Sequence, residues 1–189
     1  MTGKYYHTKE TVEEYINLAK DVNSKNLIAK FASFMNSNAK VLEIGSGPGT
    51  DWRILNKTFK VTGSDNSKEF IEHLTKENPG GSFLELDAVT LLTEEKYDSI
   101  YSNKVLHHLN NRELEQSVKK QYEILKPNGL ICHSFWKGEG DEIFNGLYVN
   151  YHLEKDLHHF FEPFFDILKI EAYKEFENGD SLLVIGKKK

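Results

Sequence analysis

Val41-Leu42-Glu43-Ile44-Gly45-Ser46-Gly47-Pro48-Gly49-Thr50-Asp51 reads as a buried strand, a glycine-rich turn and the opening of a helix. Val41, Leu42 and Ile44 form the short apolar run of a central parallel strand. Glycines follow at 45, 47 and 49, where the chain can take positive φ and a ligand can approach the backbone. Thr50 or Asp51 opens the next helix, whose free N–H groups face the loop. The spacing departs from the dinucleotide fingerprint G-x-G-x-x-G, which would place its third glycine where Thr50 stands. The G-K-[ST] of a Walker loop is absent.

On the N-terminal side, Thr11-x-x-Glu14 has the form of a capping box. It predicts a helix from Thr11 to about Lys20, with Val12, Tyr15, Ile16 and Ala19 on one face. A second amphipathic helix carries Leu27, Ile28, Phe31, Phe34 and Met35. Both precede the first strand, so residues 1–38 read as a helical lid over a core of residues 39–189, with Tyr5, Tyr6 or Tyr15 near a ligand. A core role for Tyr15 is the plainer alternative. On the C-terminal side, strands are expected at Phe59–Gly63, Ser82–Leu86, Tyr97–Tyr101 and Leu130–Trp136. Helices fall between them: a short one with Trp52, Ile54 and Leu55, one from Ser67, and one over Asn111–Leu125. Phe164–Tyr173 and Ser181–Gly186 read as two further strands joined through Asn178-Gly179. The predicted fold is α/β: one doubly wound, Rossmann-like domain over 1–189, with a mostly parallel seven-stranded sheet, an antiparallel C-terminal strand and helices on both faces.

Ligands of such sheets bind beyond the carboxyl ends of the strands. Here the glycine loop, Asp65, Asp87 and Ser102-Asn103 stand at four successive strand ends. Asp65 can accept both hydroxyl hydrogens of a ribose, and Asp87 can accept from an adenine amine beside the Ala88 N–H. Asn103 and the loop backbone can hold an amino-acid moiety. Each acid alone has a duller use, capping a turn or a helix.

The acidic residue two before the first glycine, with the alternating glycines, resembles motif I of class I S-adenosylmethionine-dependent methyltransferases. The resemblance spans roughly Val41 to Lys187. It implies a donor site of Glu43, Gly45, Ser46, Gly47, Gly49, Asp65, Asn66, Asp87, Ala88 and Asn103, with S-adenosyl-L-methionine as cofactor and S-adenosyl-L-homocysteine as product. Glu14-Tyr15, Gly49-x-Asp51, Leu106-His107-His108-Leu109 and Ser134-Phe135-x-x-Gly138-Glu139-Gly140 are similar to small bacterial methyltransferases of the tellurite-resistance type. The loop departs from their usual form at Ser46, Pro48 and Trp52-Arg53, which leaves the substrate open.

The implied reaction is in-line methyl transfer to a small molecule. His107 and His108, after the fourth strand, are the candidates for a general base; only one can readily face the cleft, and a hydrogen bond to backbone at the helix start is the alternative role. Tyr148, Tyr151 and His152 are candidates for the acceptor wall, and Trp136 and Lys137 for cleft residues. Glu139 and Glu142 could attract a cationic acceptor but read more simply as solvated acids. Phe160, Phe161, Phe164 and Phe165 read as core. The alternatives are a nicotinamide-dependent oxidoreductase of similar fold and a methyltransferase-fold protein that binds donor or partner without catalysis.

Composition narrows the partners. The chain has 189 residues and a net charge of −5, against a nucleic-acid partner. Lys187–Lys189 reads as a solvated tail. No apolar stretch has the length of a membrane span, so no membrane partner is expected. The single cysteine, Cys132, fits a reducing cytoplasm. The histidines lack metal-ligand spacing, so no metal is expected. A cytoplasmic monomer or homodimer acting on a small molecule is the resulting expectation.

Overall fold

The computed structural model describes residues 8–18, 24–144 and 146–189. Helices α1 (Lys9–Leu18) and α2 (Lys25–Ala32) precede β1 (Lys40–Ile44). Strand and helix then alternate through α3 (Thr50–Leu55), β2 (Lys60–Asp65), α4 (Lys68–Glu77), β3 (Ser82–Glu85) and β4 (Tyr97–Asn103). A single 3-10 turn (Leu106–His108), α5 (Asn111–Ile124) and β5 (Leu125–Trp136) follow. A hairpin of β6 (Asp141–Phe144) and β7 (Leu147–Asn150), then α6 (Glu154–Phe161), β8 (Phe165–Tyr173) and β9 (Ser181–Lys188), complete the chain.

The main sheet has seven strands in the order β3-β2-β1-β4-β5-β9-β8. The first five run parallel. β9 is antiparallel to both β5 and β8 and lies between them, so the antiparallel strand is an inner one. Neighbouring residues of each central strand point to opposite faces, and both faces are buried. Leu42, Ile44, Ile100, Ile131 and Val184 pack on one side with Leu114 and Val118 of α5 and Leu157 and Phe161 of α6. Val41, Tyr101, Cys132 and Ile185 pack on the other with Leu27, Ile28 and Phe31 of α2 and Trp52 and Leu55 of α3. Burial on both faces explains why these strands read as continuous apolar runs.

Local chemistry sets the boundaries. Ser67 Oγ accepts from Phe70 N at 3.3 Å and starts α4. Asn110 and Glu113 close a reciprocal capping box on α5. The Lys126–Gly129 turn is a bulge within β5: the ladder with β4 jumps from Tyr97↔Leu125 to Ser99↔Leu130, with Asn128 at φ 62°.

Several expectations are corrected. The first turn of α1 is capped by Thr8, whose Oγ1 accepts from Thr11 N, so the helix starts before the anticipated Thr11 box. Tyr5, Tyr6, Ala19 and Lys20 lie outside the described residues. Helix α2 does not stand over the cleft. Phe31 is fully buried, with its ring 5.8 Å from Tyr101, so α2 is a layer of the core. Among the described residues, α1 reaches the mouth through Tyr15, which meets Phe70 edge-on at 6.0 Å, while α2 brings only its N-cap residue Ser24 to the cleft. The β6–β7 hairpin and α6 were not anticipated. No helix among the described residues is long and apolar enough to cross a membrane.

Candidate active site

The glycine loop turns the chain between β1 and α3 with three alternate residues at positive φ: Gly45 at 70°, Gly47 at 47° and Gly49 at 77°. Two are closed in by packing. A Cβ on Gly45 would lie 2.4 Å from Val105 Cγ2, and one on Gly49 would lie 2.5 Å from Leu74 Cδ2. Gly47 differs: a Cβ there would meet nothing nearer than Tyr15 Cε1 at 3.8 Å. Its backbone is therefore open to a ligand under Tyr15. Gly45→Ala is expected to cost about 3 kcal/mol, from left-handed strain and overpacking together. A denaturant titration checks this, and adding Val105→Ala should restore the packing part.

Buried side chains hold the loop. Asp65, at the end of β2, accepts from Gly47 N at 3.0 Å through Oδ2 and from Ser67 N at 2.9 Å through Oδ1. Ser46 Oγ donates to Glu43 Oε2 at 2.6 Å and accepts from Ser64 N at 3.1 Å. Asp51 lies in the first turn of α3, where the helix dipole favours an acid. Its Oδ2 accepts from Tyr101 Oη at 2.8 Å and from Asn103 Nδ2 at 3.2 Å. Asn103 Nδ2 also donates to Ser24 Oγ, and Asn103 Oδ1 accepts from Ser134 Oγ.

Burial first, then the Asp51 carboxylate, pushes Glu43 up to about 8. An acid that holds its proton more tightly in the fold than in the unfolded chain adds stability that is whole below the unfolded value of about 4.3. That stability is lost as pH rises through the folded value. The unfolding free energy should therefore fall between pH 5 and pH 8.5, by roughly 4 kcal/mol from this group. Glu43→Gln, which mimics the protonated carboxyl, should flatten that fall. An unchanged slope in the variant would mean that Glu43 is ionised throughout.

One cleft of about 200 Å³ collects these groups at the carboxyl ends of the strands. It is lined by nearly all the residues expected to bind the donor: Glu43, Gly45, Ser46, Gly47, Asp65, Asn66, Asp87, Ala88 and Asn103. Gly49 is not on the wall; it caps α3 behind it. Asp87 Oδ1 accepts from Val89 N at 3.0 Å and Thr90 N at 2.9 Å, which fixes the carboxylate without consuming Oδ2 in either bond.

A buried polar chain anchors Ala88. Ser117 Oγ donates to the Ala88 carbonyl at 2.6 Å, and Gln121 Nε2 donates to Ser117 Oγ at 3.2 Å. Gln121 Oε1 must then accept from His133 Nε2–H, 2.7 Å away, which leaves Nδ1 to accept from Ser102 Oγ at 2.8 Å. Burial drives His133 down to about 3, so the ring is neutral, as this chain of bonds requires.

The two histidines expected as base candidates part company. His107 is only 3% exposed and is not on the cleft wall, because the 3-10 turn directs it into the interior near Trp136. His108 lines the cleft, and its Nδ1 lies 2.7 Å from the Tyr148 carbonyl on β7. A carbonyl only accepts, so Nδ1 carries the hydrogen and Nε2 of the neutral ring carries the lone pair. Burial lowers the His108 pKa, opposed by the bond to Tyr148.

The anticipated acceptor wall is also corrected. Tyr148, Tyr151 and His152 line a second, polar groove on the far side of the hairpin, together with Glu139. Glu142 accepts from Tyr151 Oη. Trp136 and Lys137 are not on the cleft wall. The residues there that sequence reasoning missed are Ser24, Asp51, Phe70, Lys104, Val105, Leu109 and Leu147. Asp51 carried a signal, an acid in the first turn after the loop, but its partners Tyr101, Asn103 and Ser24 are remote in sequence.

Comparison with known proteins agrees with this geometry. Residues 41–129 match the family described as "Methyltransferase domain". The chain is 32% identical over 133 residues to an uncharacterised methyltransferase of Oceanobacillus iheyensis, covering 69% of this chain and 57% of that protein. It spans little more than half the length of the curated relatives it matches. Among solved structures, it is similar to a Burkholderia thailandensis 1,6-didemethyltoxoflavin-N1-methyltransferase, with a TM-score of 0.79 at 17% identity, over 95% of this chain and 84% of that one. It is also similar to a TehB-like S-adenosylmethionine-dependent methyltransferase of Corynebacterium glutamicum, with a TM-score of 0.73 at 19% identity, over 96% and 97% of the two chains. Residues 41–129 thus match a methyltransferase-domain family, and the whole chain has the Rossmann-like fold of solved S-adenosylmethionine-dependent methyltransferases.

Proposed function

We propose that this protein is an S-adenosylmethionine-dependent methyltransferase that acts on a small molecule and releases S-adenosylhomocysteine. The observation that carries this reading is the convergence on one cleft of an open Gly47 backbone, Asp65, Asp87 and Asn103. The residues fit the donor: acids suit its cationic groups, and the wall at Gly47 has space for a ligand. When bound, the donor supplies an activated methyl group on a sulfonium.

Asp65 would hold the ribose hydroxyls, with Asn66 beside it, and Asp87 with the Ala88 N–H would read the adenine. Glu43, Asp51, Asn103 and the Gly45–Gly47 backbone would surround the amino-acid end. Tyr15 of α1 is the proposed cover, so the lid is confined to the first helix. His108 is the proposed base, since it alone of the pair faces the cleft with an acceptor nitrogen.

Calorimetric titration with S-adenosylmethionine, S-adenosylhomocysteine and a reduced nicotinamide tests the reading. Micromolar binding of the first two, on the order of −8 kcal/mol, is expected. Nicotinamide binding without adenosyl-donor binding would favour the oxidoreductase alternative, and no binding at all would remove the donor site.

A further inference from the structure

On the transferase reading above, we infer that the acceptor's reacting atom is the nitrogen of a neutral, N–H-bearing amine or N-heterocycle, and that the cleft rejects carboxylate acceptors. Three observations carry this. Four acids, Glu43, Asp51, Asp65 and Asp87, line the cleft. Even with Glu43 holding its proton, the three other carboxylates outweigh the donor's single net positive charge, so the occupied cleft stays negative.

The one lysine or arginine lining the cleft among the described residues is Lys104; burial pushes it down to about 7, and its Nζ is already committed. Nζ donates to the Phe135 carbonyl at 2.8 Å and to Ser181 Oγ at 2.7 Å. It sits 3.4 Å from the centre of the Trp136 ring, a cation–π contact that takes its remaining face. An anionic acceptor would therefore enter a negative cleft and find no free cation to pair with among the described residues, which is costly for a buried charge.

The third observation is His108. The Tyr148 carbonyl fixes its tautomer, so it offers a lone pair at Nε2 beside the apolar side chains of Val105, Leu109 and Leu147. A lone pair repels a carboxylate oxygen and accepts from an N–H. The charge flow favours nitrogen over oxygen as well. A neutral nitrogen attacks with its own lone pair, so positive charge grows on it in a field of carboxylates. A hydroxyl would first have to become an anion in that field. In the balanced step, the nitrogen lone pair forms the C–N bond while the C–S bond breaks with its electron pair going to sulfur. The sulfonium becomes a neutral thioether. In an amine the proton on the attacking nitrogen passes to His108 Nε2 and then to water; in an N-heterocycle the ring nitrogen without hydrogen attacks, and the conjugated N–H gives up the proton.

The test has two readouts. First, protein saturated with S-adenosylhomocysteine is titrated at pH 7.5 with benzimidazole, a flat neutral N–H probe, and with phthalate, a dianion of similar size. Benzimidazole should bind at least about tenfold more tightly. Leu147→Arg, at a half-buried hairpin position, should shift the ratio toward phthalate by about tenfold, since it puts a free cation on the wall. Phthalate binding as tightly as benzimidazole would overturn the inference. Second, methyl-labelled donor is incubated with a small-molecule extract, and the products are split by ion exchange. Label is expected in the neutral and cationic fractions. Label in the anionic fraction overturns the acceptor class and leaves the transferase reading standing. Label in neither fraction, from a protein that binds S-adenosylhomocysteine, removes the transferase reading and this inference with it.

Discussion

Asp65→Ala should weaken S-adenosylmethionine binding by about 100-fold or more, which corresponds to roughly 2.7 kcal/mol. The size follows from where the carboxylate stands. It is 8% exposed, so a hydrogen bond it accepts is charge-assisted and poorly screened, worth about 1.5–3 kcal/mol each. A ribose offers two hydroxyls to such a group. Asp65 also organises the site, because Oδ2 draws in Gly47 N while Oδ1 ties down Ser67 N at the start of α4. On the proposed reading its removal takes away a ligand contact, and it loosens the one open glycine of the loop.

Asp65→Asn separates the two parts. The amide keeps a single acceptor oxygen, so it can serve Gly47 N or Ser67 N but cannot serve both and a ribose. It should fall between the wild type and the alanine variant in calorimetry. If Asp65→Ala lowers the melting temperature yet leaves donor affinity within threefold of wild type in the folded protein, Asp65 is a loop brace and the ribose assignment fails.

The residues that were legible in sequence are those whose signals are local. β1 and its glycine loop announce themselves because a strand buried on both faces must be apolar throughout, and the turn after it needs positive φ at alternate residues. Asp65, Asp87 and Asn103 follow from position alone, each at or just beyond a strand's carboxyl end. In sequence, Asn145-Gly146 has the composition of a hairpin turn. Beside it, β6 is exposed along all four residues and gives no alternation to detect. Helix α6 hides in an aromatic run: Leu157, Phe160 and Phe161 are buried at helical spacing, but in sequence the phenylalanines read simply as core. The role of α2 was misjudged because nothing in its own sequence says which face of the sheet it will cover. Lys104 could not be read at all. Its partners Phe135, Trp136 and Ser181 come from strands that only the folded sheet brings beside the end of β4.

The choice between His107 and His108 depends on the same kind of tertiary fact, and it leads to the second large effect. His108→Asn should lower kcat by about 100-fold with the acceptor that wild type labels, at unchanged donor affinity. Asparagine is the informative replacement because its Nδ2–H can keep the bond to the Tyr148 carbonyl. The hairpin then stays docked while the nitrogen corresponding to Nε2 is lost. The expected effect lies at the low end of the range for general bases, about 10²–10⁴-fold. The donor is already activated, and a neutral nitrogen can begin its attack before it surrenders a proton. The pH profile isolates the role. Only the unprotonated ring can accept, and burial lowers the His108 pKa from its ordinary value near 6.5. The wild-type rate should rise with pH below that value and be flat by neutrality, and the acid limb should vanish in the variant. His107→Asn is the counterpart: its side chain is interior, so its loss should lower stability and leave the acid limb in place. If instead the limb follows His107, or if neither variant moves it, His108 is a hairpin anchor only, and the proton leaves the acceptor by way of solvent.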